Sequence, residues 1–243
     1  MDFKKNNTDN EFEINRPHGA GRLYSFFINY KFRKSLESIP LDIKNLSILD
    51  ICCGSGMSSE FYVKEGADVC GTDISVESIS RAKIRAKKYG FPAKFQIANS
   101  ENLPFSNNSF DVVSVHDGLH HLNNPEKAVK EMVRVAKKGV IIIEPAEAFI
   151  TKISILIGIS KKFEDVGNYV YRFKKYELMN WLKEEGCKRI RIKRYIMYYP
   201  HKPNWLFNIF SSFLVFHIVK ILFYTINAIF GRFGNKIYAV GVK

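Results

Sequence analysis

No two cysteines in this chain stand in a CxxC spacing; the four thiols are Cys52, Cys53, Cys70 and Cys187. That leaves no secreted-type disulfide framework, so reduced, intracellular thiols are expected, and no metal site is assigned. The first residues, MDFKKNNTDNEFEINRP, lack the apolar stretch of an export signal, and export is not expected. There is no Gly-Lys-Ser/Thr of a phosphate-binding P-loop. No Asp or Glu follows Glu185, whereas ten Lys or Arg lie between Cys187 and Lys243.

That one-sided ending carries most of the formal net charge of +13. A basic end suits a polyanionic partner, nucleic acid or an anionic lipid surface, or is simply a solvated face. The 243 residues, 46% apolar and 25% charged, exclude a largely disordered chain and a multi-span membrane protein. They allow one substantial domain or a core domain with an insertion, and are too few for two full α/β domains.

Residues 1–17 read as a loose polar arm. Apolar and aromatic groups at helical spacing predict a helix over 22–39, closed by Pro40. Short apolar runs predict buried strands at Leu46–Ile51, Val69–Ile74, Ala93–Ala98, Phe110–Val115 and Val140–Glu144. Helices are predicted between them at Met57–Glu65, from Ser75 as N-cap to Tyr89, and at Pro125–Val135. Strands alternating with helices mean βαβ units and a parallel sheet covered on both faces. Further on, Ala148–Ile159 is short and very apolar, Lys174–Glu185 is a plausible amphipathic helix, and Lys188–Met197 and Lys236–Val242 read as strands. The expected fold class is α/β, a doubly wound, mostly parallel, seven-stranded Rossmann-like sheet with an apolar helical insertion before the last strand. The expected division is an N-terminal arm and helix (1–40), a cofactor-binding core (41–147), and substrate-side elements with the insertion and closing strand (148–243).

Ligands of an open parallel sheet bind at the carboxyl ends of its strands. There, Asp50 closes the first strand and Gly54-Ser55-Gly56 follows, small residues that let backbone N–H groups approach a ligand. Asp73 ends the second strand, where an acid can accept both hydroxyls of a ribose. Asn99-Ser100-Glu101 follow the third strand, placed for a base edge. A dinucleotide fold would prefer GxGxxG, and an acid ahead of the glycines suits a cationic tail better than pyrophosphate. The sum is an adenosyl ligand with a positively charged tail.

In order, LDICCGSG (49–56), TDIS (72–75), NSENLPFSNNSFDVV (99–113), HDGLHHL (116–122) and VRVAKKGVIIIEP (133–145) resemble the motifs of class I S-adenosylmethionine-dependent methyltransferases. They look most like the branch that methylates quinones, lipids, sugars and other small molecules. The resemblance covers roughly residues 40–147. It implies S-adenosyl-L-methionine as cofactor, its methionine part held around Asp50, Cys52, Gly54 and Gly56. It puts the ribose on Asp73, the adenine face on Ile74, Asn99, Ser100 and Glu101 at the adenine border, and His116 on the crevice wall. Cys52 departs from the family's usual first Gly, and Asn99 from its common Asp. No Asn/Asp-Pro-Pro-Tyr/Phe and no Pro-Cys is present, which counts against methylation of base amines and of cytosine C5.

Methyl transfer needs mainly an acceptor brought in line, and an O- or C-acceptor also needs a general base. His116, Asp117, His120 and His121 cluster after the fourth strand. His116 is the first choice for catalysis and His120 the second, against a reading of the His120-His121 pair as cap and packing. Trp205–Phe230 carries one fixed charge, Lys220, and as a single helix would measure about 39 Å, enough to span a bilayer. Because a strand must follow it, two shorter helices or a hairpin dipping into one leaflet is the favoured reading, against an internal pocket cap or a dimer contact. Phe26, Phe27, Tyr30, Tyr169, Tyr171 and Arg172 are candidate acceptor-pocket residues. The expected function is methylation of a hydrophobic or lipid-linked small molecule, in the cytoplasm and peripheral to the inner membrane face, with no DNA partner. The rivals are an RNA methyltransferase using the basic C-terminus and a non-catalytic cofactor-binding scaffold.

Overall fold

The computed structural model describes residues 10–149, 151–152, 171–198 and 202–243. Its sheet contains β1 (Ser47–Ile51), β2 (Asp68–Asp73), β3 (Ala93–Ile97), β4 (Phe110–His116), β5 (Ala136–Pro145), β6 (Arg189–Tyr195) and β7 (Lys236–Val242). They lie in the order β3-β2-β1-β4-β5-β7-β6. Neighbours run parallel except β7, which is antiparallel to both β5 and β6. The helices are α1 (Arg22–Leu36), α2 (Met57–Lys64), α3 (Val76–Tyr89), α4 (Pro125–Val135), α5 (Lys175–Glu184), α6 (Trp205–Phe210) and α7 (Phe213–Phe230). This is the expected Rossmann-like architecture, with apolar helices ahead of the last strand.

Local chemistry explains the helix starts. Ser75 Oγ accepts the backbone N–H of Ser78, and Asn124 Oδ1 accepts that of Lys127 with Pro125 in the first turn. Strand alternation sends Ile48, Val69, Val112 and Ile141 into a core with α1 and α2, and Leu49, Ile51, Val113 and Val115 into a second core with α4 and α5. β5 starts four residues before the expected Val140, because Ala136 pairs with Phe110 across an irregularity in the β4 register.

The N-terminal arm differs from its expected looseness from residue 10 on. Residues 10–15 are helical. Arg85, fully buried on α3, donates to the carbonyls of Ile14 (2.9 Å) and Arg16 (2.6 Å) and from Nε to Glu60 Oε2 (2.7 Å). Glu60 also takes His18 Nε2 at 2.8 Å and Lys64, and His18 stacks on Tyr89. The arm is held in place through its backbone carbonyls, which any side-chain composition supplies, so a polar sequence does not reveal it.

The apolar insertion forms two helices, as expected. Phe26, Phe27 and Tyr30 of α1 seat it through ring contacts with Phe207, Phe216, Phe223 and Tyr224. These three rings, expected as acceptor-pocket candidates, are therefore the bed on which α7 lies. The apolar run Ala148–Ile159 falls mostly outside the described residues, as does Tyr169.

Candidate functional site

The sheet order turns at β1, which lies between β2 and β4. Beyond β1 the chain enters α2 on one face; beyond β4 it passes a 3-10 turn (Leu119–His121) into α4 on the other. A crevice at the carboxyl ends is the geometric result. Its floor is the loop Cys52–Gly56, where Cys52 (φ 50°), Gly54 (φ 54°) and Gly56 (φ 77°) all take left-handed backbone. That conformation is unfavourable for a side chain. Cys52 occupies it nonetheless, at the position where the family pattern has Gly.

The loop is strapped to the end of β2. Gly54 N donates to Asp73 Oδ2 at 2.9 Å, Cys53 N to the carbonyl of Thr72, and Ser75 N to Asp73 Oδ1 at 2.9 Å. A Cβ built on Gly54 meets nothing within 4 Å, so this backbone faces open space. Ile74, next to Asp73, is 67% exposed, unusual for an aliphatic chain at the end of a buried strand.

Asp50 is placed beneath this loop and is fully buried. Its Oδ2 accepts the hydroxyls of Ser58 (2.7 Å) and Ser59 (2.6 Å), and its Oδ1 that of Ser114 (3.2 Å). Burial raises its pKa to about 6 against the pull of those three hydroxyls. The carboxyl ties β1, α2 and β4 together, so it shapes the loop from below; the sequence reading had it facing a cationic tail.

Three loops converge on Cys52. Its Sγ lies 3.2 Å from Ser100 Oγ, after β3. On the other side a Cβ at Gly118, after β4, would fall 2.4 Å from Cys52 Cβ. Glycine is required at 118 for that close approach. Burial pushes the Cys52 thiol up to about 12, so it is a neutral packing group. Asn99 and Glu101 shape the same rim: Asn99 Oδ1 accepts Glu101 N, and Glu101 Oε1 accepts Asn124 N.

The β4 turn carries the titratable cluster. Glu144, fully buried at the end of β5, accepts the backbone N–H of Gly118 (2.9 Å) and Leu119 (2.7 Å) on Oε1. Its Oε2 lies 2.7 Å from His120 Nδ1. Sequence reasoning missed this acid, although an acidic residue closing an otherwise aliphatic strand was the available signal. His116 sits elsewhere, edge-on to Phe32 and with Nε2 2.6 Å from Tyr62 Oη. Burial first, and Lys31 second, hold its pKa well below 6.5, so the ring is neutral. Asp117 (φ 50°) is gripped by Lys31 Nζ at 2.9 Å and Lys236 Nζ at 2.5 Å. These two cations keep its carboxyl well below the usual range despite burial. Lys31 was not singled out from sequence. His121 is exposed, and Tyr171 bonds to Glu177 on α5.

The donor set is thus an open-faced glycine loop, a carboxylate bonded by two backbone N–H groups, an exposed aliphatic side chain, and a histidine–carboxylate pair two residues past the loop contact. It suits a ribose, a flat apolar base and an acceptor requiring proton removal. Residues 49–143 match the family described as Methyltransferase domain. Over that stretch the chain is similar to methyltransferase domains. A demethylmenaquinone methyltransferase of Renibacterium salmoninarum is 40% identical over 92 residues, 38% of this chain and 37% of the relative. A ubiquinone/menaquinone biosynthesis C-methyltransferase of Bdellovibrio bacteriovorus is 34% identical over 122 residues, 49% of this chain and 52% of the relative. The chain therefore spans between about a third and a half of the length of these curated relatives. In fold, magnesium protoporphyrin IX methyltransferase of Synechocystis PCC 6803, solved with bound SAH, matches with a TM-score of 0.61 at 16% identity. That match covers 99% of this chain and 96% of the other. The matched residues hold the crevice floor from Asp50 to Ile143 and stop one residue short of Glu144, while the fold continues through β6 and β7.

Proposed function

We propose that this chain transfers a methyl group from S-adenosyl-L-methionine to a hydrophobic or lipid-linked small molecule, working at the cytoplasmic membrane surface. The observation that carries this reading is the contact of Gly118 with Cys52. It brings the His120–Glu144 pair against the same loop whose backbone is strapped to Asp73. The names of the quinone-pathway relatives support a small apolar acceptor.

Asp73 keeps lone pairs for ribose hydroxyls after accepting Gly54 N and Ser75 N. Ile74 offers its exposed side chain to the adenine face, with Asn99 and Glu101 at the rim. When bound, the cofactor supplies a sulfonium methyl already activated for transfer. Glu144 fixes the His120 ring and favours its Nδ1–H form, leaving Nε2 as the proton acceptor. A positioned base of this kind contributes about a hundredfold or more. On this reading His120 replaces His116 as the first catalytic choice. His116 bonds to Tyr62 in the core and is kept neutral there. The basic C-terminal segment favours an apolar partner over RNA, because its cations flank the exposed apolar surface of α6 and α7, with Lys220 alone on α7, rather than lining a polar groove.

Incubation with labelled cofactor and extracted lipids and small metabolites, followed by mass analysis, tests the reading. A methylated apolar product is expected. Label appearing only in added RNA, or in nothing while S-adenosylhomocysteine still binds, would overturn the acceptor assignment.

A further inference from the structure

The outer face of α7 is the least water-compatible surface among the described residues. Leu214 (75%), Ile221 (66%) and Ile218 (59%) are exposed, and Trp205 on α6 is 71% exposed. The run Phe213–Phe233 has a mean hydropathy of 1.9. A contiguous apolar surface of this kind marks a contact.

Three observations identify what it contacts. First, α7 cannot cross a bilayer while keeping its seat. Phe223 packs on Phe26, Phe27 and Tyr30 at 5.5, 5.1 and 4.8 Å between ring centres. Asn227 bonds both the N–H (2.7 Å) and the carbonyl (3.0 Å) of Ile196, just past β6. The helix is sewn along its length to the body of the protein. Second, cations border the face: Arg22 lies over the Phe213 ring at 5.6 Å, Lys220 over Phe26 at 5.7 Å and Arg232 over Phe233 at 4.7 Å. Third, no acidic residue occurs from Gly186 to Lys243. A second copy would bring like charges together, whereas anionic headgroups would neutralise them.

We infer that α6 and α7 lie flat in one leaflet of an anionic membrane, apolar face inward and cations at headgroup level. Resting on the methyltransferase reading, this also names the acceptor's route. Tyr30 touches Phe223 and Tyr224 of the lipid-facing helix, and its neighbour Lys31 holds Asp117 on the β4 turn. A membrane-dissolved acceptor would then approach the titratable cluster along α1, which touches both.

The test is sedimentation of the full chain with vesicles of phosphatidylcholine alone or mixed equally with phosphatidylglycerol, with S-adenosylhomocysteine binding measured in parallel. Wild-type protein should sediment with the mixed vesicles and much less with the neutral ones. Leu214→Asp, Ile218→Asp and Ile221→Asp together should weaken binding at least about tenfold with cofactor binding unchanged. Arg22→Gln with Arg232→Gln should cost roughly fivefold per cation on the mixed vesicles. Wild type left in the supernatant, equal binding by the triple variant, or a soluble dimer abolished by those substitutions would each overturn the inference. Vesicle binding without S-adenosylhomocysteine binding would uphold the docking face and remove the acceptor route.

Discussion

His120 Nδ1 lies 2.7 Å from Glu144 Oε2, while the other oxygen of Glu144 holds the backbone of Gly118 and Leu119. One buried carboxylate thus fixes both the turn and the ring that follows it. Glu144→Gln should lower kcat about a hundredfold, with S-adenosylhomocysteine affinity unchanged. His120→Ala should cost as much, and the double variant little more, because the two act as a unit. Steady-state kinetics beside calorimetric titration checks this; equal losses of turnover and cofactor affinity would contradict it.

The Gly118–Cys52 contact predicts a coupled pair. Gly118→Ala puts a methyl group where Cys52 Cβ already is, and should destabilise the fold by about 1–3 kcal/mol. Cys52→Gly removes the obstacle and suits the positive φ at 52, so the double variant should regain part of the loss. Denaturant titrations of the two single variants and the double variant measure the interaction energy.

Asp50 makes a pH prediction. Its pKa in the folded chain is raised to about 6 from an ordinary value near 3.8. Between these values the folded state binds more protons than the unfolded, so this group's contribution to stability falls as pH rises, by on the order of 3 kcal/mol. Asp50→Asn removes that slope. The melting temperature of the variant relative to wild type should rise from pH 4 to pH 7, and a difference that stays flat or falls would contradict the account. Asp117 has the opposite sign. Its pKa is depressed, so its stabilisation is present above pH 4 and is lost as pH falls further.

Arg85 predicts an order–disorder effect. Arg85→Met leaves Glu60 without its buried partner and frees the carbonyls of Ile14 and Arg16. A loss of about 3 kcal/mol is expected. Hydrogen exchange at residues 10–18 should accelerate more than exchange in β1 or β4.

The strand and helix sequence was legible because it rests on local periodicity. Pro125–Val135 and Lys236–Val242 fall at their expected bounds, and Ser75 caps α3 as its chemistry requires. What escaped depends on contacts between distant residues. Glu144 meets His120 across 24 residues only because β4 and β5 are neighbours. Lys31 reaches Asp117 across 86. The burial of Asp50 was not legible because the composition of a loop does not show that Ser58, Ser59 and Ser114 will close over the carboxyl. The arm at 10–15 read as loose since its partner, Arg85, is seventy residues away on a helix that looks solvated.

The central claim is that the Gly54–Asp73 crevice holds an adenosyl cofactor. Isothermal titration of the chain with S-adenosylhomocysteine tests it most directly. One equivalent should bind to wild type, and Asp73→Ala should weaken that binding by about tenfold or more, the value of a charge-assisted hydrogen bond. Absence of heat with wild type, or equal affinity in the variant, would contradict the account.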